Sequence, residues 1–506
     1  MIAERNREET AGRRGRPAGL LLAALLFLSV GIAATPSAAF ELFGIRLFGS
    51  DKSDETVTDP LRYQLTFDPG TTDGDLADAL RDASPMLAEE ERPVSGSLGL
   101  LSRAATEREA LIAALYARAR YEGVVTITIE GTPLDEIPLD RQFDRSRPVP
   151  VTVSVAPGEP FVLGDIVLRG DAADLAPARF RLIPGGDAGS TAILRAESEM
   201  VRALKEEGRP LARVASREIV ADHATNTLDV TLTLEAGPVA PYGETRVEGT
   251  EAVDRDFTAY MAGLEPGRTY SPREIDQARE RLIALEVFNS VNVREAGELD
   301  ASGAIPIDVN VSERKHRYFG IGATYSSTDG GGIEGYWGHR NLFSRAERLR
   351  IEGSISRIGA PGGFGQLNYN AGIMFEKPGV LGPPSRFISS LKGNFEHPDA
   401  YEKLSVDARA GVRYDLTPRQ TVSAEGRIEW SSVTDSFSPI VPRRHLLVSI
   451  PLEYVYDGRD NKLDPTQGYR LLAYAEPTYD LFSGAAFVKV RGEASAYMSF
   501  SEEDRM

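Results

Sequence analysis

No cysteine occurs anywhere in the 506 residues. That absence excludes a disulfide framework, a thiol nucleophile and a lipid-anchored N-terminal cysteine. Histidine is scarce too. His223, His316, His339, His397 and His445 are scattered without metal-ligand spacing, so no metal site is expected. Cations are in deficit: 57 Lys and Arg stand against 75 Asp and Glu, a formal net charge of −18. Phosphate binding needs clustered positive charge, so no nucleic-acid partner is expected, and the acidity serves solubility. The chain has no Gly-Lys-Ser/Thr phosphate loop, no H-E-x-x-H helix and no G-x-S-x-G elbow. Gly330–Gly335 fits G-x-G-x-x-G, but it lies in a hairpin turn with no helix behind it. The expectation is a non-enzymatic protein without catalytic residues or cofactors. Beyond residue 40 there is also no apolar run of helix length. A mature chain that crosses a membrane must then do so with strands.

What is present begins with an address. Arg5, Arg7, Arg13, Arg14 and Arg16 precede the apolar run Leu20–Ala34, and Pro36 breaks the helix. Ser37-Ala38-Ala39 then offers the small residues of a cleavage site. Residues 1–39 read as a secretory signal peptide, cut between Ala39 and Phe40, with 40–59 as an N-terminal leader.

Next comes a repeat. Gly158, Gly164 and Gly170 recur as Gly237, Gly243 and Gly249, each shifted by 79 residues. The strands before them match as well, Val153-Ser154-Val155 and Leu232-Thr233-Leu234. A fixed period means tandem units. Each opens with a strand (Phe161–Arg169, Tyr242–Glu248), passes through helical sequence and closes with two strands. In one unit Ser190 or Thr191 starts a helix with Ile193, Ala196, Met200 and Leu204 on one face, stopped by Gly208. Strands Ala212–Val220 and Thr227–Leu234 follow. In the next, Ser271-Pro272-Arg273-Glu274 reads as a capping box before Ile275, Ala278, Leu282 and Leu285. Strands Ser290–Arg294 and Ile305–Val311 follow that helix. The segment Tyr63–Val155 is a looser copy, with helices near Leu76–Ala83 and Glu107–Arg120. The units are bounded at 60–157, 158–237 and 238–313. Their sheet edges suit either addition of an extended client strand or a plain spacer role.

From Tyr318 the helical period disappears. Leu404, Val406, Ala408, Ala410, Val412, Tyr414 and Leu416 alternate with Ser405, Asp407, Arg409, Gly411, Arg413 and Asp415. Val422, Ala424, Gly426, Ile428 and Trp430 resume the pattern after a turn at Thr417–Gln420. Long strands with one apolar and one charged face suit a lipid-facing wall around a wet interior. About ten such strands are expected over 314–506, including Tyr318–Ser326, His445–Asp457 and Val488–Phe500. The fold class is therefore α+β repeats followed by an antiparallel transmembrane β-barrel.

Two motifs resemble a known family. Between the eighth and ninth strands, Asp457, Arg459, Asp460, Asn461, Pro465, Thr466, Gly468 and Tyr469 fit D-x-R-D-N-x-x-x-P-T-x-G-Y, the turn motif of the BamA/TamA superfamily. Pro465 and Gly468 fix a tight reversal, so a purely structural periplasmic turn is the expected role. Near the barrel start, Arg340-Asn341-Leu342-Phe343-Ser344-Arg345-Ala346-Glu347 resembles the family's "RNLFGRAE" hairpin, with Ser344 where glycine is usual. The repeats resemble the POTRA domains that precede the barrel in this family. Three repeats, this hairpin and the start Phe40-Glu41-Leu42-Phe43-Gly44 favour the TamA branch. The resemblance implies an outer-membrane assembly and translocation factor with periplasmic POTRA domains. It implies a TamB-like inner-membrane-anchored partner, clients such as autotransporters and other unfolded outer-membrane proteins, and contact with outer-membrane lipid. It also implies a lateral gate at the first strand, where Tyr318, Gly320 and Gly322 lie and where the glycines are expected to weaken packing. Alternatives are a two-partner secretion translocator and a BamA-type general assembly protein. Family barrels have about sixteen strands and a lumenal R-G-[YF] loop motif. Here Arg491-Gly492-Glu493 lies within a strand, and Ser501–Met506 is polar. A truncated barrel is therefore expected.

Overall fold

Two parallel strands cannot be joined by a tight turn; the chain must cross over, usually through a helix. The second and third repeats are built around that requirement. In the second, Thr227–Glu235 lies at the centre of a three-stranded sheet, parallel to Val162–Gly170 and antiparallel to Arg213–Asp222. Helix α1 (Ser190–Glu206) makes the crossover. In the third, Ile305–Glu313 takes the central place, parallel to Tyr242–Glu248 and antiparallel to Phe288–Glu295. Helices α2 (Arg255–Ala262) and α3 (Pro272–Ala284) cross over there. The structure is a computed structural model describing residues 40–42, 45–48, 59–327, 330–360, 366–398, 400–436 and 441–499. The expected signal peptide and Ala39 lie outside the described residues. Within the expected leader, Phe40–Leu42 and Ile45–Phe48 pair as an antiparallel hairpin.

The 79-residue period has a conformational cause. Gly158 and Gly237 have φ of 68° and 67°, and Gly170 and Gly249 have φ of 70° and 86°. A Cβ at Gly170 would strike the Leu234 carbonyl, and one at Gly249 would strike that of Val311. Only glycine fits a left-handed position so close to another backbone. The helical faces read from the sequence are buried: Ile193, Ala196, Met200 and Leu204 in one core, Ile275, Ala278 and Leu282 in the next. Each large apolar side chain buried this way contributes about 1.5–3 kcal/mol. One local expectation fails. The Ser271 side chain makes no capping bond. The Tyr242 hydroxyl takes the Ser271 N–H at 2.9 Å, and Glu274 is drawn to Arg268 instead.

The chain forms two compact units. Of the described residues, one takes in those up to Phe67 together with Pro85–Glu107 and Ile127–Val153; the other takes in Asp68–Ser84, Arg108–Thr126 and those from Ser154 on. In the first unit the Tyr63 hydroxyl donates to the Met86 carbonyl at 2.8 Å, and the Met86 N–H donates to buried Glu107 at 2.9 Å. The helix expected near Glu107 begins earlier, running over Gly96–Ala117. Gly96 and Gly99 had concealed its first turns.

The C-terminal region of the second unit is one antiparallel sheet of eleven strands. They are β1 (Arg317–Ser326), β2 (Gly330–His339), β3 (Arg348–Ile358), β4 (Asn368–Pro378), β5 (Ser385–Glu396), β6 (Tyr401–Thr417), β7 (Gln420–Asp435), β8 (Arg443–Ser449), β9 (Leu452–Asp457), β10 (Gln467–Asp480) and β11 (Ala486–Met498). The expected strand His445–Asp457 is interrupted, which raises ten to eleven. Pro451 has no N–H to give the ladder, yet pairing resumes in the same register on both sides: Ser449 faces Arg427, and Leu452 faces Ala424. Pairing also sorts the faces. Trp337, Ile351, Ile373, Leu391, Ala408, Ile428 and Val448 form one continuous apolar row. Among the described residues, no helix is long and apolar enough to cross a membrane.

Gly249→Ala should cost about 1–3 kcal/mol through forced positive φ and the clash with Val311. Urea-dependent protease resistance of the third repeat in the full-length protein reads this loss. An unchanged midpoint would remove the conformational explanation of the period.

Candidate functional site

The hairpin motif is a joint. Helix α2 starts at the N-cap Asp254, and the loop before it carries three successive N–H groups. Those of Glu251, Ala252 and Val253 all donate to Glu313 Oε1, at 2.7, 2.9 and 2.8 Å. Such a concave set of N–H groups holds one anionic oxygen. The other side of the loop meets the β2–β3 turn. Asn341 Nδ2 donates to the Ala252 carbonyl at 3.0 Å, and the Asp254 N–H donates to the Ser344 carbonyl at 2.7 Å. Asn341 Oδ1 accepts from Ala346 N–H at 3.0 Å, and buried Glu347 accepts from Phe343 and Arg345 N–H at 3.2 and 3.0 Å. The turn is thereby shaped to fit the repeat. Leu342 is half-buried, whereas Phe343 is exposed. Ser344 has φ of 69°, which explains why glycine is usual there.

A second contact lies one hairpin along. The Tyr260 hydroxyl on α2 donates to the Gly379 carbonyl at 2.9 Å, in the β4–β5 turn. A Cβ at Gly379 would lie 2.8 Å from Met261 Sδ and 2.9 Å from the Tyr260 ring. Arg348 adds an ion pair to Glu286, beyond α3, at 3.3 Å. The last repeat is thus mounted on two turns. Glu313 and Tyr260 carried no sequence signal, because their partners lie far away in the chain; Asp254, which caps α2 through the Phe257 N–H, offered only a local one, and Glu347 was legible as part of the hairpin motif.

The Asp457–Tyr469 turn satisfies itself. Arg459 grips Asp457 with two bonds of 2.8 Å. Asp460 accepts from the Thr466 hydroxyl at 2.6 Å and from Thr466 and Gln467 N–H at 3.0 and 3.1 Å. Those hydrogen bonds, the Thr466 hydroxyl foremost, hold its carboxyl well below the usual carboxylate range. Asn461 accepts from Leu463 N–H at 2.9 Å. Gly468 has φ of 100°, and a Cβ there would lie 2.9 Å from Arg459 Cα. Pro465 is half-buried, and Tyr469 stacks on Tyr456 at 5.0 Å.

The inner face of the sheet is charged and paired. Arg427 lies among Asp407, Glu429 and Glu476, reaching the last at 2.7 Å. Glu476 also accepts from Ser449, Tyr474 and Lys489, each at 2.8 Å. Removing one partner from such a buried cluster leaves an uncompensated charge. On β1 the expected weak packing is corrected. Gly320 faces Tyr336 across the strand pair, and Gly338 faces Tyr318. A Cβ at Gly320 would lie 2.5 Å from the Tyr336 ring, so the glycines seat tyrosines. Arg340 stacks over Tyr318 at 3.9 Å and Arg350 over Tyr336 at 4.1 Å. Gly322 faces Glu334.

Between α3 and the turns lies a vestibule of 930 Å³, lined among others by Gln277, Arg281, Arg386, Arg419, Arg459 and Lys462. Upstream, the second and third repeats are tied by Lys205–Glu295 at 2.9 Å and Arg202–Asp276 at 3.1 Å. Burial pushes the Glu295 carboxyl up, but hydrogen bonds from Tyr270 and Lys205 outweigh it and hold it below its ordinary value.

A wall with an apolar outer row, a charged inner face and a leading string of α/β units defines a transmembrane-barrel protein with soluble repeats. Residues 341–506 match the Omp85 superfamily domain. No curated protein matches the sequence. Among solved structures, BamA from Haemophilus ducreyi lacking POTRA domains 1–3 has a TM-score of 0.51 at 12% identity, covering 68% of each chain. BamA POTRA3–5 from Haemophilus influenzae has a TM-score of 0.39 at 17% identity, over 50% of this chain and 96% of that one. CdiB from Escherichia coli has a TM-score of 0.39 at 15% identity, over 68% and 66%. The domain match covers the C-terminal third of the chain, and the likeness to the first structure is one of fold.

Two outcomes follow from this geometry. Ser344→Gly should relieve left-handed strain and raise stability by about 1 kcal/mol, as a higher urea midpoint of the folded barrel band on gels. No change would mean that the turn imposes no strain. For Glu295 the folded pKa lies below the unfolded one, so its stabilisation is present above the unfolded pKa. It is lost as pH falls through the depressed folded value. Acid titration should loosen the tie between repeats in the native protein, whereas Glu295→Gln should show weaker pH dependence in that window. Equal pH profiles would refute the role.

Proposed function

We propose that this protein is an outer-membrane assembly and translocation factor of the TamA branch, working with a TamB-like inner-membrane-anchored partner. The superfamily match supports assembly or translocation of outer-membrane proteins in general, with the repeats in the periplasm. The observation that carries the assembly reading is the vestibule, while the TamA branch rests on the three repeats, the start Phe40–Gly44 and the Arg340–Glu347 hairpin. It is walled by the last repeat's α3 on one side and by barrel turns on the other. An unfolded client handed along the repeats would meet that space before reaching the wall. The exposed edge strand Arg213–Asp222 gives such a client a backbone ladder on the way. The Tyr318–Gly320–Gly322 strand is the proposed gate: it stands at the end of the sheet, paired to β2 on one side, and its other edge is the one that would open against the last strand of the barrel.

The cysteine-free sequence makes the test clean. A Gln277→Cys protein, carrying a short thiol-reactive crosslinker in cells, should capture unfolded barrel proteins or autotransporters at the vestibule. Absence of client crosslinks at an expressed, folded protein would sink the assembly reading. Co-purification of an inner-membrane-anchored partner supports the TamA branch. Client crosslinks without that partner would favour a BamA-type role, and crosslinks to a single large secreted adhesin would favour two-partner secretion.

A further inference from the structure

The outer wall is bordered by aromatic side chains at the end nearest the repeats. Phe375 and Phe387 lie 6.5 Å apart, Tyr456 stacks on Tyr469 at 5.0 Å, and Trp337 stands on β2. At the other end Tyr369 stacks on Phe395 at 6.2 Å. Phe387 and Phe395 are the third and eleventh residues of β5. Eight residues of rise, at ~3.4 Å each and a strand tilt of about 40°, span ~20 Å. That is somewhat under the ~25 Å apolar band of a membrane barrel, which two aromatic belts border.

Beyond the belt on the repeat side, the turns do not become uniformly polar. Phe343 in the β2–β3 turn is 68% exposed, Leu381 in the β4–β5 turn 65%, and Leu463 in the β9–β10 turn 97%. None of the three is among the residues lining the vestibule. Exposed cations accompany two of them: Arg345 beside Phe343, and Lys377 at the foot of β4 below Leu381. Lys377 pairs across the strands with Phe387, which places it on the apolar outer face at the rim. A large apolar group with a neighbouring cation fits the membrane interface, where hydrocarbon and lipid phosphate meet. Water alone rewards neither the 97% exposure of Leu463 nor its repetition on three turns.

We propose that these turn tips form a second membrane contact: Phe343, Leu381 and Leu463 enter the headgroup layer of the periplasmic leaflet, and Arg345 and Lys377 bind phospholipid phosphates. The tips continue the apolar outer wall past the belt, and their cations complement the anionic phosphates. The effect is to hold the repeat-side rim at the bilayer surface, with the mounted last repeat directly beneath it. This inference rests on the membrane-barrel reading above.

Single cysteines at Phe343, Leu381 and Leu463 can each carry an environment-sensitive fluorophore on the full chain in phosphatidylethanolamine/phosphatidylglycerol vesicles. Lipids bearing a quencher near the headgroup should quench all three severalfold more than a label at Ser302→Cys in the third repeat. Lipids quenched at mid-chain should quench them less than a label at Ile373→Cys on the wall. Lys377→Glu should weaken headgroup quenching at 381 in particular. Tips that stay unquenched while Ile373→Cys is quenched would overturn the inference and leave the barrel reading intact. An unquenched Ile373→Cys would instead overturn the barrel reading. A fluorescence shift at the tips only on adding an unfolded outer-membrane protein would reassign them to client binding, against the proposal.

Discussion

Hydrocarbon offers no partner to a peptide group, so a wall in lipid stands only if its backbone hydrogen bonds are closed strand to strand. That demand organises the C-terminal half of the molecule. It sets the length of β6, β7 and β10, at 17, 16 and 14 residues. It keeps register constant over the long runs of pairing, because a slip of one residue would turn charge toward lipid and apolar groups toward the lumen. Pro451 is the instructive exception. The ladder opens at a residue that cannot donate, beside a second one, Pro477 of β10, and the Glu425 N–H still finds the Pro451 carbonyl at 3.0 Å. On the inner face near that interruption, Ser449, Glu476 and Arg427 supply a side-chain network. The charged interior therefore compensates where the backbone falls short.

Much of this was legible from residue types alone, for identifiable reasons. The glycine period could be read because Gly170 and Gly249 occupy backbone positions no other residue takes without strain. The wall could be read because alternation is imposed locally, residue by residue. Pro451 was equally visible, yet its effect on the ladder was passed over in a strand that otherwise alternates. Other features were hidden because they depend on distant partners. Ser271 and Glu274 have the spacing of a capping box, but Tyr242 and Arg268 claim them first. Gly320 carries no mark of the tyrosine that will cover it. The joint is the plainest case: Glu313 closes a strand, Asn341 opens a turn, and only folding brings both to the loop at 251–254.

The repeats are not a loose string of beads. Phe161 N–H donates to the Ala119 carbonyl at 2.8 Å and the Tyr121 hydroxyl to the Ala188 carbonyl at 2.7 Å, tying the second repeat to residues just before it. Ion pairs tie the second to the third, and the Glu313 loop ties the third to the sheet. Each junction combines a main-chain hydrogen bond or an ion pair with packed side chains, so the orientation of one unit constrains the next. A spacer role and a client-guiding role then share one physical basis, since a stiff track both sets distance and presents its edge strands in a fixed direction.

The mount of the last repeat is one-sided. Its described hydrogen bonds and ion pairs run to the turns of β2–β3 and β4–β5 and to Arg348, whereas the Asp457–Tyr469 turn faces it only across the vestibule. A pull on the repeats would therefore load one half of the wall like a bracket bolted along a single edge. The strands from β8 onward would feel that load only through their pairing with β7 and the Arg427–Glu476 network. Tension in the periplasm would reach the membrane as a lopsided torque, with the first strands as its lever arm.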